Sequence, residues 1–171
     1  MFCGSIDGVH CPIEEPRKFP DTMWYSHKFH GPALTYQIVL SLHESKVLSI
    51  IGPYPAGNTD INVFRFEGGI KDKIPHGSRL IGDNGYKGEP DKISTQSEHD
   101  TLRAAQFKGR CRSRQETFNG RIKEFNILDQ PYRHTGRQPV VLADYDDHKQ
   151  IFESVCIKVQ YDLKYLPLFE N

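Results

Sequence analysis

Cysteine is scarce in this chain, and what there is has no metal-binding or disulfide spacing. The four residues Cys3, Cys11, Cys111 and Cys156 form no CxxC pair, so neither a zinc ribbon nor a disulfide scaffold is expected. Reduced thiols in an intracellular setting fit best, and the one alternative is a zinc site built from Cys3, His10 and Cys11. No apolar run approaches the ~20 residues that cross a bilayer, so a soluble protein with no membrane partner is expected. Glycine-rich phosphate loops of the GxGxxG or GxxxxGK[ST] type are absent, which counts against a nucleotide-binding doubly wound sheet. Internal repeats and low-complexity tracts are absent too. Net charge is also missing: 22 basic residues balance 22 acidic ones, so no global field announces a polyanionic partner.

That zero is an average over unlike segments. Residues 103–123 hold seven basic side chains (Arg103, Lys108, Arg110, Arg112, Arg114, Arg121, Lys123) against one acid, Glu116. A local cationic face can bind phosphates even when the whole chain is neutral. With 171 residues, of which 37% are apolar and 26% charged, the chain has the size and composition of a single globular domain.

Hydrophobic periodicity predicts strands at 3–13, 34–43, 46–52 and 78–82. The clearest is "ALTYQIVLSLH", where Tyr36, Ile38, Leu40 and Leu42 alternate against Gln37, Ser41 and His43. The first three strands are expected to be antiparallel neighbours, with the fourth parallel to the first. "EEPRKFPDTMWYSHKFHGP" reads as a long surface connection. "GNTDINVFRFEGG" opens a short helix capped by Asn58, Thr59 or Asp60 and closed by Gly68 and Gly69. A mostly helical pattern runs over 98–127, interrupted around Gly109, with Phe118, Ile122 and Phe125 as its apolar stripe. "LDQPYRHTGRQP" is loop. A last helix is expected to be capped by Asp146 or Asp147 and to bury Ile151, Phe152, Val155, Cys156 and Val159. This order of elements makes a mixed α/β sheet flanked by helices.

Four acids are candidates for chemistry, and each has a plainer alternative. Asp7 lies in "GSIDGVH", either as a hairpin turn with Gly8 or as a charge carried on a strand, which is costly unless it is paired or binds a cation. Asp60 is either a helix cap or a ligand. Asp83 follows the strand "RLI" and precedes an Asn-Gly turn, so it either punctuates the strand or grips a metal. Glu116 points away from the Phe118 stripe, on a face carrying Gly109, Arg112, Asn119, Gly120 and Lys123. That face is either a solvated surface or one that lets a phosphate chain approach closely. Asp7 and Asp83 on two strands of one sheet, with Glu116 on a helix 32 intervening residues later, match the acid order of the DDE nucleases. Such carboxylates repel one another unless a hard cation, Mg²⁺ or Mn²⁺, neutralises them.

The blocks "IDGVHCPI", "YSHKFHGPALTYQIVLSL", "GPYPAGNTDINVF", "LIGDNGY" and "RQETFNGRIKEFNIL" resemble, in order, those of the DDE superfamily endonuclease domain of PIF/Harbinger-type transposases. The segment "HKQIFESVCIKVQYDL" is similar to that family's closing helix. The resemblance implies an RNase H-like α/β fold over 1–171, a divalent-metal nuclease site, DNA as substrate and a nuclear location. Carried over residue by residue, Asp7 is the first acid and Glu116 the last. The second is Asp83 or Asp60, since the family pattern has an acid in both blocks, and all four are candidate metal ligands. Arg112, Arg114, Arg121 and Lys123 are the candidate DNA-binding residues. The family's N-terminal helical DNA-binding region is not found ahead of Asp7, so target recognition by a separate DNA-binding protein, and a homo-oligomeric state, enter as expectations. Three classes of function follow: a metal-dependent DNA endonuclease or strand-transfer domain, a catalytically silent domesticated transposase domain that binds DNA or protein, and an unrelated α/β binding protein whose acids never meet.

Overall fold

The computed structural model describes residues 1–16, 22–133 and 145–168. At its centre lies β1 (Phe2–Pro12), with nearly every residue from Gly4 onward buried. A strand this apolar and this free of charge needs cover on both faces, and Asp7 is its one charged residue. The second long strand, β3 (Gly31–Ser41), runs antiparallel to β1 with Asp7 opposite Ile38, and is preceded by the short β2 (Tyr25–Ser26), which pairs with its first residues. β4 (Val47–Pro55) is antiparallel to β3 on its other side. β5 (Arg79–Ile81) lies parallel to β1, and β6 (Ile93–Ser94) parallel to β5. The main sheet therefore has the order β4-β3-β1-β5-β6.

The expected strands are all present with the expected directions; β2 and β6, two residues each, carry too little pattern to be read from sequence. The parts of the two predicted connections that fall on 17–21 and 134–139 lie outside the described residues.

Helices cover both faces. α1 (Asp60–Arg65) and α2 (Ile70–Lys73) occupy the connection from β4 to β5, and Val63, Phe64 and Ile70 pack there on Ile6, Val39, Leu80 and Tyr86. On the opposite face lie α3 (Leu102–Lys123), the short α4 (Asn126–Asp129) and α5 (Asp146–Asp162). Phe118, Ile122, Phe152 and Val155 meet Val9, Cys11, Tyr36 and Ile38. Each such buried side chain contributes about 1.5–3 kcal/mol relative to exposure, so these contacts decide where α3 sits.

α3 runs unbroken through Gly109, against the interruption expected there. A mid-helix glycine costs only about 1 kcal/mol relative to alanine, and the burial of Cys111, Phe118 and Ile122 exceeds that. Thr101 caps its start, its Oγ1 accepting from the Ala104 N–H at 3.3 Å. Among the described residues no helix is long and apolar enough to cross a membrane.

Candidate metal centre

Strand alternation sends Asp7 to the α3 side of β1. Two residues earlier, on the same side, the Ser5 hydroxyl donates to Gln115 Oε1 at 2.9 Å, and Gln115 Nε2 donates to the Ile38 carbonyl at 3.2 Å. These buried bonds pin α3 across β1 and β3. One turn further along, Asn119 Nδ2 donates to Asp7 Oδ2 at 2.8 Å, while the Gly8 N–H donates to Asp7 Oδ1 at 2.8 Å. Asp7 is thus held on both oxygens within a strand. The hairpin-turn alternative fails because both neighbours of Asp7 continue the β1–β3 ladder.

Asp83 stands just past the end of β5. Its Oδ1 accepts from the Gly85 N–H at 2.8 Å and caps a single 3-10 turn, Asn84–Tyr86. Punctuation and a ligand role are compatible here, since a carboxylate carries two oxygens and about four acceptor sites. Asp60 is not the helix cap: Thr59 is, and Asp60 forms the first residue of α1. Gln37 Nε2 fixes its backbone, donating to the Asp60 carbonyl at 2.7 Å. Its carboxylate is then aimed at β1. A Cβ placed on Gly8 would lie 2.5 Å from Asp60 Oδ1, and one on Gly85 would lie 3.0 Å from both Asp60 Oδ2 and Asp83 Oδ1. Only glycine leaves room at these two positions for the acids to draw together.

The electrostatics carry the mark of that convergence. Burial pushes the Asp7 carboxyl up to about 6, and the negative charges of Asp83 and Asp60 push the same way, while Lys28 and the Gly8 N–H oppose them. Asp60 is raised as well, by burial first and by Asp83 further, against Lys28. Beneath the acids, the Tyr86 phenol is fully buried without a hydrogen-bond partner among the described residues, and Asp60, Asp7 and Asp83 all push its pKa further upward. Asn119 Oδ1 is another buried oxygen without a partner.

Glu116 reaches the same place from the helix. It lines, with Asp7 and Asp83, a cleft of about 240 Å³ whose rim also carries Lys28 and Arg112. Its Oε1 accepts from Arg112 Nε at 2.9 Å, one helical turn away. Both side chains of that pair are more than half exposed, at 65% and 58%, so water and salt screen it and it yields readily to a stronger partner.

The basic residues fare unequally. Arg114, expected among the DNA-binding residues, is buried: it donates from Nη1 to the Ser41 carbonyl at 2.7 Å and from Nη2 to that of Glu44 at 3.0 Å, clamping the β3–β4 turn. Arg121 donates from Nη1 to the Leu166 carbonyl at 2.6 Å. Lys123 stacks over the Phe29 ring, 5.2 Å from its centroid. Lys108, also on α3, is locked to Asp100 at 2.7 Å and to the Thr95 carbonyl. The zinc alternative does not form. Cys11 sits in the core under α3 and α5, Cys3 packs against the core on the other face, and His10 pairs through Nδ1 with Ser26 Oγ at 2.8 Å.

Among the described residues no three carboxylates, imidazoles or thiols already stand as one coordination sphere. The donor chemistry still suits a hard cation. Carboxylate oxygens line the cleft and soft ligands are absent from it, and the Asp7 and Asp60 carboxyls are raised by burial first and by neighbouring acids in addition.

Fold and cleft together define the class, a mixed α/β domain that collects acids from a strand, a strand end and a helix beside exposed cations. The chain belongs to the DDE superfamily endonucleases: that family's model matches residues 6–157, which contain Asp7, Asp60, Asp83 and Glu116. Comparisons with curated proteins and with solved structures each found no match.

Proposed function

We propose that the chain is a divalent-metal-dependent DNA endonuclease or strand-transfer domain of transposase origin, with Asp7, Asp83 and Glu116 as its catalytic acids. The observation that carries this reading is that these three side chains line one cleft, with Asp7 on β1 and Asp83 just past the end of the adjacent parallel strand β5. The order β4-β3-β1-β5-β6, with the first three strands antiparallel, supports an RNase H-like arrangement. The sequence blocks support the PIF/Harbinger type, and with it a nuclear location, self-association and a separate DNA-binding partner.

Mg²⁺ or Mn²⁺ bound by Asp7, Asp83 and Glu116 would supply Lewis acidity to the attacking and leaving oxygens of a phosphodiester displacement. The chain's own residues do the rest. Asn119 and the Gly8 N–H orient the Asp7 carboxylate. Asp60 approaches from the opposite face of the sheet and adds negative charge behind Asp7 and Asp83. Arg112, exposed at the rim beside Glu116, would offer its guanidinium to a phosphate oxygen.

Mn²⁺ titration tests this. The wild type is expected to gain thermal stability at millimolar Mn²⁺ and to nick an arbitrary duplex. Asp7→Asn and Asp83→Asn should lose both. A wild type that gains stability with Mn²⁺ and binds DNA but leaves it uncut would instead be the silent, domesticated module. No response to Mn²⁺ at all would remove the metal site.

A further inference from the structure

Lys28 is unaccounted for by the acid triad, yet it is the cation most directly involved with it. Its position is prepared by the fold. Ser26 is fully buried, and its Oγ accepts from the backbone N–H groups of Lys28 and Phe29 at 3.2 and 3.4 Å. The same Oγ meets His10 Nδ1 at 2.8 Å, so the turn between β2 and β3 is tied to β1 three residues from Asp7. Burial and the neighbouring Lys28 and Lys123 charges lower His10 to about 4, which keeps the imidazole neutral in that pairing near pH 7. From this anchored turn the Lys28 side chain extends over β1. Its Nζ donates to the Gly8 carbonyl at 3.4 Å, and it lines the cleft with Asp7, Asp83, Arg112 and Glu116.

Charge balance then defines its role. In the metal-free chain Lys28 is the chief cation acting on both Asp7 and Asp60. A divalent ion on the acids removes that attraction and replaces it with repulsion between two cations. The ammonium, still tethered at the cleft, is left needing an anion, and a phosphate oxygen is the anion a DNA strand would bring there. Building on the nuclease reading above, we propose that Lys28 is a phosphate-binding residue of the cleft, tethered at the Gly8 carbonyl beside Asp7 in the field of the acids and turned to the DNA backbone once a divalent ion neutralises them.

DNA binding without cleavage tests the handover. Wild type, Lys28→Met and Lys28→Arg are titrated with a short duplex across a range of KCl, once in EDTA and once in Ca²⁺. Lys28 is exposed, so the variants should still fold cooperatively. In EDTA Lys28→Met should melt somewhat below wild type, because it leaves Asp7 and Asp60 uncompensated. Melts in both conditions confirm that each variant is folded where it is titrated. In Ca²⁺ the slope of log affinity against log salt should flatten by about 0.9 for Lys28→Met, the loss of one phosphate contact, and Lys28→Arg should restore it. In EDTA all three slopes should coincide. Identical slopes in Ca²⁺, with the wild type still binding more tightly there than in EDTA, would overturn the role of Lys28 and leave the nuclease reading standing. An equal loss in both conditions would overturn the handover, because Lys28 would then contact phosphate regardless of the acids. A wild type indifferent to Ca²⁺ would bring down both.

Discussion

Asp7 shows how much one carboxylate in a strand can cost and what that cost is for. Its carboxyl is raised from 3.8 to about 6 by burial and by its acidic neighbours. A folded-state value above the unfolded one means that folding favours the protonated acid. The stabilising contribution is present below 3.8 and lost as pH rises through 6, so at pH 7 the charged group weakens the metal-free fold. Asp7→Asn is therefore expected to raise the unfolding free energy at pH 7 by about 1–2 kcal/mol in EDTA, checked by urea denaturation. The same substitution should lose stability relative to wild type once Mn²⁺ is added. Asn119, which nothing in a single sequence distinguishes from other polar helix residues, holds the second oxygen of Asp7. Asn119→Ala should weaken Mn²⁺ affinity by about 10–100-fold in calorimetry while changing the melting temperature of the apo protein little.

Among the elements, α3 decides most, because it carries a buried structural cation and exposed cations within a few residues. Arg114 holds the β3–β4 turn from inside, and Arg112 and Lys123 point outward to the cleft rim and to Phe29. Removing the buried guanidinium strands two backbone carbonyls. Arg114→Ala is thus expected to cost about 2–4 kcal/mol in denaturant unfolding, with DNA affinity per folded molecule unchanged. The double variant Arg112→Ala, Lys123→Ala should do the reverse. Stability should stay within ~0.5 kcal/mol of wild type, while DNA binding weakens for every sequence and the salt slope flattens by up to about two. A double variant with the wild-type slope would make that face an ordinary solvated helix surface.

For the whole molecule the instructive quantity is stability in mild acid, where groups of opposite sign meet. His148 is buried at the α5 start, its Nδ1 2.7 Å from the Tyr36 hydroxyl, and burial lowers it to about 4. His10 is lowered to about 4 as well. Both are folded-state values below the unfolded 6.5, so the fold favours neutral imidazole. That stability is present above 6.5 and disappears as pH falls towards 4, whereas Asp7 gains stability across 6 to 3.8. The two histidines lose stability on acidification while Asp7 and Asp60, both raised, gain it, so the fall due to the histidines is partly offset between pH 6.5 and 4. His148→Gln should flatten that fall, measured by unfolding at several pH values, and Asp7→Asn should steepen it.

Periodicity alone sufficed for β1, β3, β4 and β5 and for the core stripes of α3 and α5, because half-buried strands and helices must repeat apolar residues at their own pitch. The short turn between β3 and β4 and the helical crossover before β5 also fit the antiparallel and parallel order expected for these strands. Asp7, Asp60, Asp83 and Glu116 were legible as acids with alternatives, and the blocks around them pointed to the family that matches 6–157. Tertiary structure alone brought Asp7, Asp83 and Glu116 to one cleft and excluded the hairpin turn at Asp7 and the helix cap at Asp60. A carboxylate at a strand end looks the same in sequence whether or not another element brings a second one beside it. Asp60 reaches β1 only because Gly8 and Gly85 leave space, Arg114 turns inward only because the β3–β4 turn has carbonyls to offer, and Lys28 arrives through a turn that Ser26 and His10 hold. These pairings span many residues of chain. Local propensity does not encode them, since each depends on where two separate elements are packed.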